Sequence, residues 1–168
     1  MIEYVLIHPK PWKTVDLPVL LVLKEKPAWQ KGRLNLVGGK VEEGETPEEA
    51  AYRELKEEAG WPALRMRKMG EIIGVNCLIH CFSADIAFFY APNPRSEEIE
   101  KVEWYTWSEV KNDCRLIPNL RIIIPLLHTE IKGWRILDQE SSVGVNCHKI
   151  SVELPIDVPF VNGEKCVN

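Results

Sequence analysis

Two stretches near the N-terminus, residues 2–7 and 19–23, are dense in Val, Ile and Leu and are bounded by proline or charge, the pattern of buried strands. Between them residues 8–16, with Pro9 and Pro11, predict a loop, and residues 24–33, with Pro27 and Gly32, predict a second. Residues 34–37 predict a short strand that stops at Gly38-Gly39. Thr46 followed by Pro47 and Glu49 has the form of a capping box with proline at the first helical position, and Gly60-Trp61-Pro62 is a stop, so a helix is predicted over 47–59. Apolar stretches at 71–75, 78–82 and 85–90 predict three antiparallel strands, and 102–107 a further one. Residues 116–128 predict a second helix, opened near Pro118, with Pro125 bending it or removing one hydrogen bond. Beyond His128, residues 134–138 and 149–154 pair as a predicted hairpin, and the tail to Asn168 carries no pattern.

Composition narrows the class. A chain of 168 residues with 45% hydrophobic positions has room for one buried core. The longest apolar stretches, 17–23 and 122–127, fall far short of the roughly 20 residues that span a bilayer, and each contains a proline. Met1-Ile2-Glu3-Tyr4 lacks the basic and apolar regions of a secretory signal, so a cytoplasmic protein with no membrane partner is expected. The five cysteines show no CxxC spacing and read as reduced thiols. A net charge of −4 argues against duplex nucleic acid as a partner, since counterion release needs a basic face. It leaves a phosphorylated small molecule open, because a bound metal can bring the positive charge.

The predicted helix 47–59 carries the chemistry. Glu54, Glu57 and Glu58 stand at i, i+3 and i+4, so they share one face, where like charges cost about 0.2–0.5 kcal/mol per pair. Glu57 and Glu58 also lie at the negative end of the helix dipole. A solvated acidic face is the ordinary explanation of such a helix. A divalent ion is the alternative that turns both penalties into attraction, and with no Cys or His in the segment the donors suit Mg²⁺ or Mn²⁺. Arg53, four residues after Glu49 and four before Glu57, can relieve repulsion and hold a carboxylate in place. Gly38 and Gly39 permit a tight turn whose carbonyls can approach a metal.

Spacing decides between the two explanations. Gly39, Glu45, Arg53, Glu54, Leu55, Glu57, Glu58 and Gly60 fill every position of the Nudix box, with Trp61 as one departure where that family has Ile, Leu or Val. The chain thus resembles the Nudix hydrolases, strongly over residues 34–61 and more loosely over 2–128. The resemblance implies an α/β fold, a mixed β-sheet sandwiched between helices, with a Nudix domain at 1–128 and a C-terminal extension, 129–168, packed on it as a hairpin plus tail. It implies an Mg²⁺-dependent hydrolase, with Mn²⁺ as a substitute, that cleaves a pyrophosphate bond with water. Glu54, Glu57 and Glu58 become metal ligands, with the Gly38 carbonyl in addition, and Arg53 and Glu45 orient them. MutT-type members take a base from a glutamate shortly before a Glu-Trp pair. Glu103-Trp104 matches the pair and Glu98 the base, with Glu97 as the alternative and a solvated acidic loop as the competing explanation of both.

Substrate class follows from the same likeness. Between Ala63 and Phe89 the chain lacks the proline associated with ADP-ribose hydrolases and the tyrosine associated with diadenosine polyphosphate hydrolases. Residues 34–40 resemble the segment before the box in MutT-like enzymes, including those acting on oxidised purine nucleoside triphosphates, where the asparagine reads the base. Asn35 is therefore the first candidate for a base contact, with Asn119 and Trp29 as further base candidates and Lys40 as a phosphate candidate. Residues 116–121 resemble the base-pocket segment of the oxidised-purine enzymes, but Ile117, Asn119 and Leu120 replace an aromatic and two aspartates. The expected reaction is (d)NTP to (d)NMP and pyrophosphate. A nucleotide sugar or dinucleotide as substrate, or a non-catalytic nucleotide-binding module, are the alternatives.

Overall fold

The structure, a computed structural model, describes residues 1–11, 17–87, 100–138 and 150–155. Five strands, β1 (Ile2–Pro11), β4 (Arg65–Ile73), β5 (Cys77–Ile86), β7 (Trp134–Asp138) and β8 (Ile150–Glu153), form one sheet in the order β1-β5-β4-β7-β8. A second sheet is β3 (Leu34–Leu36), β2 (Pro18–Leu23) and β6 (Lys101–Thr106), in the order β3-β2-β6. The larger sheet is mixed: β1 and β5 are parallel, as are β4 and β7, while β4–β5 and β7–β8 are antiparallel. Helices lie on its two faces, α1 (Pro47–Ala59) against β1 and β4, and α3 (Leu120–His128) against β5 and β1.

Side-chain alternation along the strands separates two cores. Val5, Ile7, Phe82 and Ala84 pack with Ala50, Ala51, Leu55 and Ala59 of α1. Leu6, Cys81, Met69 and Ile72 pack with Leu120, Ile123, Ile124 and Leu127 of α3. The three alanines of α1 let its backbone come close to the sheet. Leu55 is fully buried, worth about 1.5–3 kcal/mol.

Helix α1 has the predicted bounds. Thr46 accepts from the Glu49 N–H while the Glu49 carboxylate takes the Thr46 N–H, and Gly60 closes the other end with φ 73°. The strands differ from expectation in three places. β1 runs through the predicted loop to Pro11, because the odd residues of β1 turn their N–H groups away from β5: Val5 and Ile7 donate to Gly39 and Val37. Pro9 and Pro11 share that parity and remove nothing from the β1–β5 ladder. The expected runs 78–82 and 85–90 are joined, as far as described, in the single strand β5 across buried Ser83. β4 begins earlier than predicted, at Arg65, its charged positions answered by Arg67–Asp85 and Lys68–Glu71 pairs.

Residues 107–110 form a short helix, α2 (Trp107–Val110), with a second capping box from Thr106 and Glu109. Helix α3 starts at Leu120 instead of 116, since Leu34 N–H bonds the Arg115 carbonyl and Ile117 N–H bonds the Leu34 carbonyl, zipping that segment to β3. Pro125 sits within α3, which continues to His128. The hairpin β7–β8 extends the main sheet, and fully buried Trp134 lies over Gly70, where a Cβ would collide with the indole. No helix among the described residues is long and apolar enough to cross a membrane.

Candidate active site

The segment before α1 is laid along the open edge of β1. Val37 and Gly39 carbonyls accept from Ile7 and Val5, both at 2.8 Å, and Val41 donates to Glu3 at 3.0 Å. Gly38 is required by space as well as by turning, and Gly39 lies directly under a side chain of α1. Gly38, at φ 151°, lies so close to the Val5 carbonyl that a Cβ would clash, and a Cβ on Gly39 would strike the Glu54 carboxylate.

Arg53 organises the acidic loop and the helix together. Its Nε and Nη2 donate to the two oxygens of Glu45 at 2.9 and 3.0 Å, the paired geometry that a guanidinium allows. Nη1 donates to Glu54 at 2.8 Å and Glu57 at 3.0 Å, and Nη2 also reaches the Lys40 carbonyl at 3.0 Å. All five donors of the group are thus engaged. Glu45 is held below the usual carboxylate range by its hydrogen bonds from Arg53, and these same bonds drive the Arg53 pKa still higher. Burial pushes Glu54 upward, against the pull of Arg53. Glu49 is absent from this network because the helix cap occupies it.

Glu58 faces a different cation. Its side chain is 6% exposed, with Oε1 2.9 Å from Lys24 Nζ and Oε2 accepting from Gly38 N–H at 2.9 Å. Burial raises its pKa to about 7 even with Lys24 alongside. Lys24 Nζ also meets Glu100 Oε2 at 2.5 Å, and Glu100 Oε1 accepts from the N–H groups of Glu25 and Lys26 at 2.7 and 3.2 Å. Although burial alone would lower the Lys24 pKa, the two carboxylates raise it. Glu100, opposed by burial, is lowered by the Lys24 and backbone donors. The expected row of three converging carboxylates is therefore divided: Glu54 and Glu57 share Arg53 Nη1, and Glu58 turns to Lys24. Among the described residues no ready cage of three or more His, Cys, Asp or Glu ligands is formed. Each of the three acids is paired with a cation of the protein itself.

Trp61 stacks on Trp104 of β6, ring centroids 5.7 Å apart and 22° between planes. The indole at position 61 therefore has its own partner on a facing strand. It packs the C-terminal end of α1, next to Glu58, against the smaller sheet.

The remaining candidates are spread around this centre. Asn35 on β3 donates to Gln30 Oε1 at 3.1 Å and accepts from the Leu36 N–H at 2.9 Å. Trp29, in the same loop as Gln30, is half exposed, and Lys40 is exposed with its carbonyl on Arg53. Asn119 precedes α3, on the segment zipped to Leu34, with its Oδ1 buried and without a hydrogen-bond partner among the described residues. Glu98 and its alternative Glu97 lie outside the described residues. Lys24, Glu100 and Gln30 escaped the sequence reading. The one local signal for Lys24 is a charge placed immediately after the buried run of β2.

Comparison with known proteins places the chain in a family and a fold. The NUDIX domain family model matches residues 15–127. The oxidized purine nucleoside triphosphate hydrolase of Mus musculus is 38% identical over 98 residues, 55% of this chain and 60% of that protein. Its Danio rerio counterpart is 38% identical over 93 residues, 52% and 57% of the two chains. The match thus spans somewhat over half the length of these curated relatives. Among solved structures, the mutator MutT protein of Bacillus halodurans superposes with a TM-score of 0.64 at 19% identity, covering 92% of this chain and 97% of that one. The NUDIX domain of Shewanella oneidensis NrtR, solved with ADP ribose, gives 0.63 at 17% identity over 74% and 84%. At these identities the two superpositions establish the fold.

Proposed function

This chain belongs to the Nudix family, and from that premise we propose that it hydrolyses nucleoside triphosphates, (d)NTP to (d)NMP and pyrophosphate, by attack of water at phosphorus. The observation that carries the proposal is the Arg53 fork, which gathers Glu45, Glu54, Glu57 and the Lys40 carbonyl beside a Glu58 buried against Gly38. A pairing of this extent is more than a solvated face requires, since exposed ion pairs contribute little.

The donor set fits a hard divalent ion. Burial raises both Glu54 and Glu58, which leaves these carboxylates short of positive charge, and the candidate donors are all oxygen. Glu54, Glu57 and Glu58, with the Gly38 carbonyl, would hold Mg²⁺ or Mn²⁺, which when bound supplies charge neutralisation for the phosphates and acidifies water. Arg53 and Glu45 are positioning residues: the fork fixes two carboxylates on the helix and ties the loop to them. Gly38 N–H fixes the third. Glu98, or Glu97, takes the proton of the attacking water, and no covalent nucleophile is needed. Asn35 and Asn119 supply hydrogen bonds to the base, Trp29 a ring face and Lys40 a charge for the phosphates. The curated relatives act on oxidised purine nucleoside triphosphates; here Ile117, Asn119 and Leu120 make the base pocket less acidic, so the proposal extends to the triphosphate class and not to oxidised bases alone.

The test is product analysis over a panel of nucleoside triphosphates, oxidised purines included, with nucleotide sugars and dinucleotides alongside, in Mg²⁺ and again in chelator. Monophosphate plus pyrophosphate, lost in chelator and restored by Mg²⁺, is expected. Two monophosphates from dinucleotides alone would move the activity to another substrate class, and no turnover of any compound would end the enzymatic reading.

A further inference from the structure

The Lys24 ammonium lies between two carboxylates that come from separate parts of the chain. Glu58 Oε1 is 2.9 Å away on α1, and Glu100 Oε2 is 2.5 Å away, just before β6. All three side chains are nearly enclosed, at 13%, 6% and 10% exposure. Glu100 is itself anchored, since its other oxygen accepts from two consecutive backbone N–H groups, those of Glu25 and Lys26. Lys24 is held at the neck of the 24–33 loop, where its N–H bonds the Arg33 carbonyl and its carbonyl takes the Gly32 N–H. The backbone is fixed; the ammonium is the part able to move, on a flexible four-carbon stem.

A divalent ion and this ammonium call on the same carboxylate. An ion seated at Glu58 repels a cation already 2.9 Å from that oxygen, in a setting with little water to screen the two. For the ion to gain Glu58, the ammonium has to give it up without being left buried and unpaired. Glu100 is placed to receive it.

We propose that Lys24 and Glu100 are positioning residues that control access of the divalent ion to Glu58: Lys24 holds Glu58 while the site is empty of metal and withdraws to Glu100 when the ion binds. This rests on the metal-dependent reading given above. The Lys24 charge thereby keeps the buried carboxylate folded against Gly38, and Glu100 lets that same charge step aside. The device also joins ion binding to the 24–33 loop, because the Glu100 acceptor is built on the Glu25 and Lys26 N–H groups of that loop.

The experiment is a double-mutant cycle on Mn²⁺ affinity of the nucleotide-free protein, followed by electron paramagnetic resonance at pH 8, using Glu100→Gln, Lys24→Met and the double variant. Glutamine keeps an oxygen for the Glu25 and Lys26 N–H groups, so Glu100→Gln removes the charge and leaves the anchor. With Lys24 present, Glu100→Gln is expected to weaken Mn²⁺ binding about tenfold, since the ammonium then remains on Glu58. With Lys24→Met, the same change at Glu100 is expected to have little effect. Equal effects in both backgrounds, or none in the wild-type background, overturn the proposal. Melting curves confirm that each variant is folded, and Lys24→Arg, with a charge that can also be shared, should retain the wild-type sensitivity to Glu100→Gln. A wild-type protein that binds no Mn²⁺ would refute metal dependence itself, and this proposal with it. Normal Mn²⁺ binding with no coupling would overturn this proposal alone.

Discussion

Replacing Glu58 by glutamine should stabilise the metal-free protein while abolishing its activity. The Glu58 carboxyl titrates at about 7 in the fold against an ordinary value of 4.5, because burial disfavours its charge. A raised acid of this kind adds stability that is complete below pH 4.5 and is lost as pH climbs through 7. At about 1.4 kcal/mol per tenfold, the gap amounts to roughly 3 kcal/mol at pH 8. Glutamine resembles the neutral acid at every pH and still offers an oxygen to the Gly38 N–H. Its amide then faces the Lys24 ammonium, which cancels part of the gain although Lys24 retains Glu100. A net gain of about 2 kcal/mol, or roughly 5 °C in melting temperature for a domain of this size, is expected at pH 8 in chelator, shrinking toward zero at pH 4.5. Added Mg²⁺ should raise the wild-type melting temperature by mass action and leave the variant nearly unmoved. The assay is a pair of thermal melts at the two pH values with turnover measured in parallel. A variant that melts at or below the wild type at pH 8 in chelator would show that the fold does not strain to hold this charge, and unchanged turnover would remove Glu58 from the site.

Arg53→Lys keeps the charge but offers three donors in place of a fork with five, so Glu45 and the Lys40 carbonyl lose their hold; a fall in kcat of about 100-fold with a melting temperature within a few degrees is expected from steady-state kinetics and melts. Thr46→Ala removes one half of the capping box and should cost about 1 kcal/mol, read as a drop of a few degrees with kcat unchanged. Gly70→Ala sets a methyl group against the Trp134 ring and should cost about 1–3 kcal/mol, with altered tryptophan emission as the second readout; an unaffected melt would contradict the seating of β7 on β4.

What the sequence disclosed was local, and what it concealed required two distant segments to meet. Thr46, Pro47, Glu49 and Gly60 state the bounds of α1 within a single window, and the i, i+3, i+4 spacing already places Glu54, Glu57 and Glu58 on one face. Thr106 and Glu109 state the same start signal, yet only four residues follow before the helix ends, too few to register as a period. Pro9 and Pro11 suggested a loop because proline lacks a donor. Whether that lack matters depends on which way each N–H of β1 points, and only the pairing with β5 on one side and Val37–Gly39 on the other decides it. Ser83 broke the apolar pattern of β5 because a buried polar residue looks exposed in one dimension. The site divides along the same line. Arg53 and its partners lie within fourteen residues of one another from Lys40 to Glu54, or a turn further at Glu57, whereas Lys24 is 34 positions from Glu58 and Glu100 is 76 positions from Lys24. Helical spacing alone placed three repelling acids on one face and left a solvated surface and a bound cation both open. It could not show that the protein carries a cation of its own for Glu58, the Lys24 ammonium immediately after β2.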